Sequence, residues 1–150
     1  MLRAARQQER AVGTKRAWNL VVFSVGGVKL AARTEDVGGV TPWGDVVRVP
    51  SRTPFVNSLL KRDKEVLPVY DLAARLNRAD RWQPALCLVA RHADGLMAIG
   101  IDEMIPSLHT VETGAIKPSV GPGIENLGSF EDGPDEVPIL AVHRLGRSGQ

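Results

Sequence analysis

Almost every apolar run in this chain is short, rich in β-branched residues, and closed at both ends by glycine, proline or charge. Runs of that kind suit strands and are too brief to lay a helix face across a core. Residues 19–24 (NLVVFS) and 28–32 (VKLAA) flank Val25-Gly26-Gly27. Glycine reaches positive φ at little cost, so this stretch predicts a tight hairpin. Residues 45–49 (DVVRV) end at Pro50, which favours an extended residue before it. Residues 66–72 (VLPVYDL) form another strand, whose Pro68 belongs at an edge or a bulge. Residues 85–90 and 96–101 pair across the turn His92-Ala93-Asp94-Gly95, and 107–112 and 137–142 bring the count to about eight strands. Helix signals are few. Asp71 is a candidate N-cap for residues 72–77, and residues 55–60 could form one turn. Residues 117–134 hold four glycines and three prolines and read as turns, with a short strand at 125–130. Many short strands at a spacing of about ten residues predict a barrel or sandwich. No repeat of fixed period is visible.

The composition fits one folded domain. Hydrophobic residues make up 43% and charged residues 24% of the 150 positions, which argues against disorder. Charge is unevenly placed. Arg3, Arg6, Arg10, Lys15 and Arg16 oppose Glu9 alone, a net +4, which leaves the rest of the chain at −2 of the total +2. Residues 1–16 therefore read as a flexible basic arm, 17–146 as the domain, and 147–150 as a tail. The single cysteine, Cys87, lies in the apolar run ALCLVA and reads as a buried side chain. No run approaches the ~20 apolar residues that span a bilayer, and the N-terminus has no secretory apolar stretch. A cytoplasmic protein with no membrane insertion is expected.

Residues for chemistry are scattered. His92, His109 and His143 do not lie three or four positions from one another or from Cys87, so no metal site is expected. His92 reads as a surface residue beyond a strand end. Gly121-Pro122-Gly123 is a turn without the strand-to-helix junction of a phosphate cradle. The acidic pairs Glu131-Asp132 and Asp135-Glu136 fall in turn-rich sequence with no sign of the burial a general acid needs. No catalytic residue and no cofactor are expected. Aromatics are only 5%, and Trp18, Trp43 and Trp82 are not interleaved with arginines, so nucleic-acid binding is not expected of the body. A rival reading makes the chain an SH3-like barrel that meets nucleic acid through its basic arm.

The block Lys61-Arg62-Asp63-Lys64-Glu65 stands between apolar segments and reads as an exposed turn leading into residues 66–72. Several segments in order carry a resemblance: residues 20–32 as a strand–turn–strand, then VRVPSRTPFV at 47–56, VLPVYDL at 66–72, MAIGIDEM at 97–104, and ILAV at 139–142 with Leu145. Together they resemble CheW-like domains, the scaffold modules of bacterial chemosensory arrays, over about residues 17–146. The resemblance implies a mainly β fold of two small five-stranded SH3-like barrels packed around a shared core, with one or two short helices. It implies a non-catalytic adaptor. The implied partners are the regulatory domain of a CheA-type histidine kinase, the cytoplasmic tips of methyl-accepting chemoreceptors, and other CheW-like domains. The partner-contacting candidates are Lys61, Arg62, Asp63, Val66, Leu67, Trp43, Ile99 and Asp102; for Trp43 the favoured alternative is a plug at a barrel end. The chain departs from the family pattern in the charged block. Without gaps, Asp63 and Lys64 occupy the places of the family's arginine-glycine pair, and Arg62 is one residue out of register.

Overall fold

The computed structural model describes residues 16–119 and 124–146. The expected arm, apart from Arg16, and the expected tail lie outside the described residues. Eleven strands are present among them: β1 (Ala17–Val25), β2 (Val28–Arg33), β3 (Val37–Pro42), β4 (Asp45–Arg48), β5 (Val56–Arg62), β6 (Glu65–Tyr70), β7 (Leu86–His92), β8 (Gly95–Ile101), β9 (Ser107–Glu112), β10 (Asn126–Asp132) and β11 (Asp135–Leu140). One short helix, α1 (Leu72–Arg75), follows β6, and single 3₁₀ turns lie at Thr34–Asp36, Thr113–Ala115 and Val142–Arg144.

The strands form a five-stranded sheet, β10-β11-β2-β1-β9, and a six-stranded sheet, β3-β7-β8-β6-β5-β4. In each sheet the two edge strands are consecutive in the chain. Trp43-Gly44 joins β3 to β4, and the backbones of Lys117, just beyond β9 and its 3₁₀ turn, and Ser129 of β10 exchange hydrogen bonds of 2.9 and 2.7 Å. Each sheet therefore curls until its ends meet, which removes most of the open edge. The outcome is the expected pair of barrels, with six strands in the second where five were expected.

Three apolar clusters result. Leu20, Val22, Ala31, Phe130, Val137 and Ile139 fill the first barrel. Leu60, Leu67, Val69, Cys87, Val89 and Ala98 fill the second. The largest cluster is the seam between them, where Phe23, Val25 and Leu30 of one sheet meet Tyr70, Leu88 and Ile99 of the other. Strand alternation explains the division. In β7 Cys87 and Val89 face the barrel interior while Leu86, Leu88 and Ala90 face the seam. A strand buried on both faces needs apolar residues at consecutive positions, hence the unbroken runs LCLVA and LMAIGI.

Local chemistry explains the turns. Gly26 and Gly27 both have positive φ, 57° and 85°, and close the β1–β2 hairpin in two residues as expected. A side chain at Gly26 would also meet Arg78, whose Cβ lies 2.6 Å from the position a Cβ would take. Asp71 caps α1 by accepting from the Ala74 N–H at 3.0 Å, though the helix is only four residues long.

The structure corrects three expectations and adds a strand that the sequence does not announce. Residues 55–60 are not a helical turn: β5 begins at Val56, because pairing to both β4 and β6 outweighs local preference. Pro68 lies in an interior strand rather than at an edge. It is tolerated because the ladder from β6 to β8 starts only at Val69, so the missing N–H breaks no pairing there. Strand β3 was unread because its glycines Gly38 and Gly39 mask the pattern; they serve a register shift against β7. His92 is half-buried, with its side chain turned inward and 5% exposed, rather than at the surface. Its Nδ1 accepts from the Asp94 N–H at 3.1 Å, so its Nε2–H donates to the Leu145 carbonyl at 2.8 Å.

Candidate protein-docking face

The charged block is a hairpin end. Lys61 and Arg62 finish β5, Asp63 and Lys64 make the turn, and Glu65 opens β6. Asp63 holds the left-handed conformation at φ 50°, which aspartate tolerates better than most residues. Lys64 does not adopt positive φ, so the position that matches the family's glycine has no need of one here.

Register then sorts the block by face. Lys61 pairs with Asp45 on β4 and Val66 on β6, while Leu59 pairs with Val47 and Pro68. Side chains directly opposite share a face, so Asp45, Val47, Leu59, Lys61, Val66 and Pro68 form one surface across three strands. Val66 is 56% exposed and Val47 45%. Apolar side chains this accessible, set among Asp45, Lys61 and Asp63, make a face suited to a protein partner.

Arg62 belongs to the opposite face. It alternates with Lys61 and shares its side with Leu60, at the mouth of the second barrel. Its Nη2 meets Glu65 at 3.5 Å, and its Nη1 is enclosed with no hydrogen-bond partner among the described residues. The charge of Arg62 also bears on Cys87: burial pushes that thiol up, with Arg62 and Thr41 opposing. Trp43 packs on the cluster inside the second barrel, in keeping with a plug. Its outer side, with Val46, Arg48, Ser58, Trp82 and Gln83, lines a cavity of about 310 Å³ beside β4.

Two candidates are turned inward and a third, half-buried, is engaged by bonds within the chain. Ile99 is fully buried in the seam and Leu67 is buried inside the second barrel, because alternation turns both inward. Asp102 is consumed by internal bonds. Its Oδ1 accepts from the Gly26 N–H at 3.0 Å and the Trp82 indole at 2.6 Å, and its Oδ2 accepts from the Gly27 N–H at 3.0 Å. The Asp102 N–H donates to the Ser24 carbonyl at 2.9 Å. The successive N–H groups of the Gly26-Gly27 turn form a small anion cradle, and Asp102 from the other barrel fills it. Sequence reasoning missed Asp45 and Val47. Their signal was present in DVVR, a run with two adjacent valines and no buried partner on its far side.

The CheW-like domain family matches residues 19–149. The chain belongs to the CheW-like domain family. This CheW-like chain is also similar in structure to the scaffolding protein TtCheW from Thermoanaerobacter tengcongensis, with a TM-score of 0.72 and 15% identity over 86% of this chain and 92% of that one. That likeness shows a shared fold. No curated protein matches the chain in sequence. No helix among the described residues is long and apolar enough to cross a membrane.

Proposed function

We propose that this CheW-like chain is a non-catalytic cytoplasmic scaffold that couples methyl-accepting chemoreceptor tips to the regulatory domain of a CheA-type histidine kinase. The family match across residues 19–149 carries the reading. The face of β4, β5 and β6 supplies a surface for it: two accessible valines ringed by Asp45, Lys61 and Asp63, on three antiparallel strands in which β5 pairs with both of the others. Apolar anchors within a charged rim give affinity at the centre and orientation at the edge.

Calorimetric titration against a purified kinase regulatory domain and a receptor-tip fragment tests the proposal. Binding is expected with at least one of them, and Val66→Asp or Val47→Asp should weaken it about tenfold or more. Both substitutions fall on exposed positions, so stability should change by no more than about 0.5 kcal/mol. Absence of binding to either partner at about 50 µM, where even small transient interfaces register, overturns the reading.

A further inference from the structure

β4 is an edge strand of the six-stranded sheet and pairs with β5 alone. The Val49 N–H donates to the Asn57 carbonyl at 3.0 Å, which continues the β4–β5 register and fixes which peptide groups are spent. In an antiparallel ladder, bonded and non-bonded pairs alternate. Val47 and Asp45 therefore bond to β5 as Val49 does, and the N–H and C=O groups of Val46 and Arg48 point away from it. Among the described residues no backbone bond reaches these outward groups. An open edge of this kind is a template for another strand.

The space at that edge suits a peptide side chain. The cavity of about 310 Å³ is bounded by Val46 and Arg48 on the β4 side and by Trp43, Trp82 and Pro84 on the other. Residues 82–84 form no strand, and Pro84 has no N–H to offer the β4 carbonyls. A Cβ at Gly100 would lie 2.6 Å from Pro84 Cβ and 3.4 Å from the Trp43 ring, so glycine is what lets both close on the cavity floor. At about 30 Å³ per water the volume holds about ten waters, which is room for one aromatic side chain. Charge then selects what enters. Two ionised side chains line the cavity, Arg48 and Asp71. Asp71 is committed to α1, since its Oδ1 accepts from the Ala74 N–H at 3.0 Å. Arg48 is exposed and makes no ion pair among the described residues. Its fork matches a carboxylate.

We propose that β4 accepts an extended acidic peptide as an added antiparallel strand, with an aromatic side chain of the peptide in the cavity opposite Val46 and a carboxylate opposite Arg48. The side chains of Val46 and Arg48 share one face two positions apart, so the pattern read from N to C is acidic, any residue, aromatic. This surface is distinct from the face of Val47 and Val66, to which β4 presents its alternate side chains. The probe is acetyl-Thr-Glu-Val-Phe-Thr-amide, titrated into isotope-labelled protein and followed by NMR. Saturable shifts are expected with a Kd of about 1 mM or tighter, the Val46 and Arg48 amide protons moving downfield together with the Trp43 and Trp82 indole signals. Arg48→Glu, at an exposed position, should weaken binding about tenfold or more, and a peptide with lysine in place of glutamate should restore it. N-methylation at the phenylalanine, whose N–H meets the Val46 carbonyl, should weaken binding to a similar extent; N-methylation at the central valine, whose N–H points away, should not. No saturable shift at about 5 mM peptide overturns the proposal, as does binding that Arg48→Glu leaves unchanged. Equal binding of the two N-methylated peptides, or of phenylpropionate, which has a phenyl and a carboxylate but no peptide bond, assigns the cavity to small anions and overturns strand addition.

Discussion

Asp102 shows how a single side chain can join two barrels. Burial pushes its carboxyl up, but the N–H groups of Gly27 and Gly26, the Trp82 indole and Ser24 outweigh this and hold it below the usual carboxylate range. A carboxyl depressed in the folded state stabilises the fold above its unfolded pKa of about 3.9 and loses that contribution as pH falls through the folded value. The urea midpoint of the parent should therefore hold from pH 7 to about 5 and drop below about pH 4. Asp102→Asn removes charge-assisted bonds and should cost about 2–3 kcal/mol at pH 7, with a shallower acid limb. A parent and variant that fall in parallel on acidification would show that Asp102 does not govern the drop. The sequence marks Asp102 only as an acid after a strand. Its cradle lies 75 and 76 positions away, and nothing local announces that approach.

At the scale of elements, two hairpins turn out to be built alike. β6 and β11 share the order of exposed, exposed, buried, half-buried, buried, buried, and each carries proline at its fourth position. Each then joins a neighbour in parallel at the next residue, Val69 to Ala98 and Ile139 to Ala31, and ends in a short helical turn. The likeness is a repeated unit, one per barrel, hidden because the sequences agree in little beyond V-x-P or V-P and their apolar neighbours. The units differ at the cap. Asp71 bonds into α1, whereas Ala141 offers its turn no side-chain acceptor. Asp71→Ala should cost about 1 kcal/mol in chemical denaturation, while Ala141→Gly should cost no cap bond. An unchanged Asp71→Ala midpoint would mean that water replaces the cap without loss. Hairpins were legible in advance wherever the turn chemistry was strong, as at Gly26-Gly27. β5 was not, because its hairpin to β6 turns on Asp63-Lys64, which carries no glycine or proline to announce it.

The whole molecule depends on the seam and on the strap that crosses it. After β11 the chain places Val142 and Leu145 in the seam, and Gly146 donates to Glu125 Oε2 at 3.1 Å. His92 of the second barrel holds the Leu145 carbonyl, and His143 reaches the buried Asp36 at 3.3 Å. Leu145→Ala should cost about 2–4 kcal/mol, as for a leucine removed from a closed core. A loss below about 1 kcal/mol would show that the strap lies on the seam without completing it. The sequence by itself determined a mainly β chain, most of its hairpins, the cap at Asp71 and the burial of Cys87, because turn chemistry and strand alternation act over a few residues. The resemblance in its motifs carried the two-barrel plan. Only the tertiary structure decided which face of each strand meets the other barrel and which meets water. It buried Ile99 and Leu67, turned the His92 side chain inward, spent Asp102 internally, turned Arg62 over the barrel mouth, and left Val47 and Val66 outside. A strand's alternation fixes that it has two faces; what covers each face is a second sheet, brought there by the fold from distant parts of the chain.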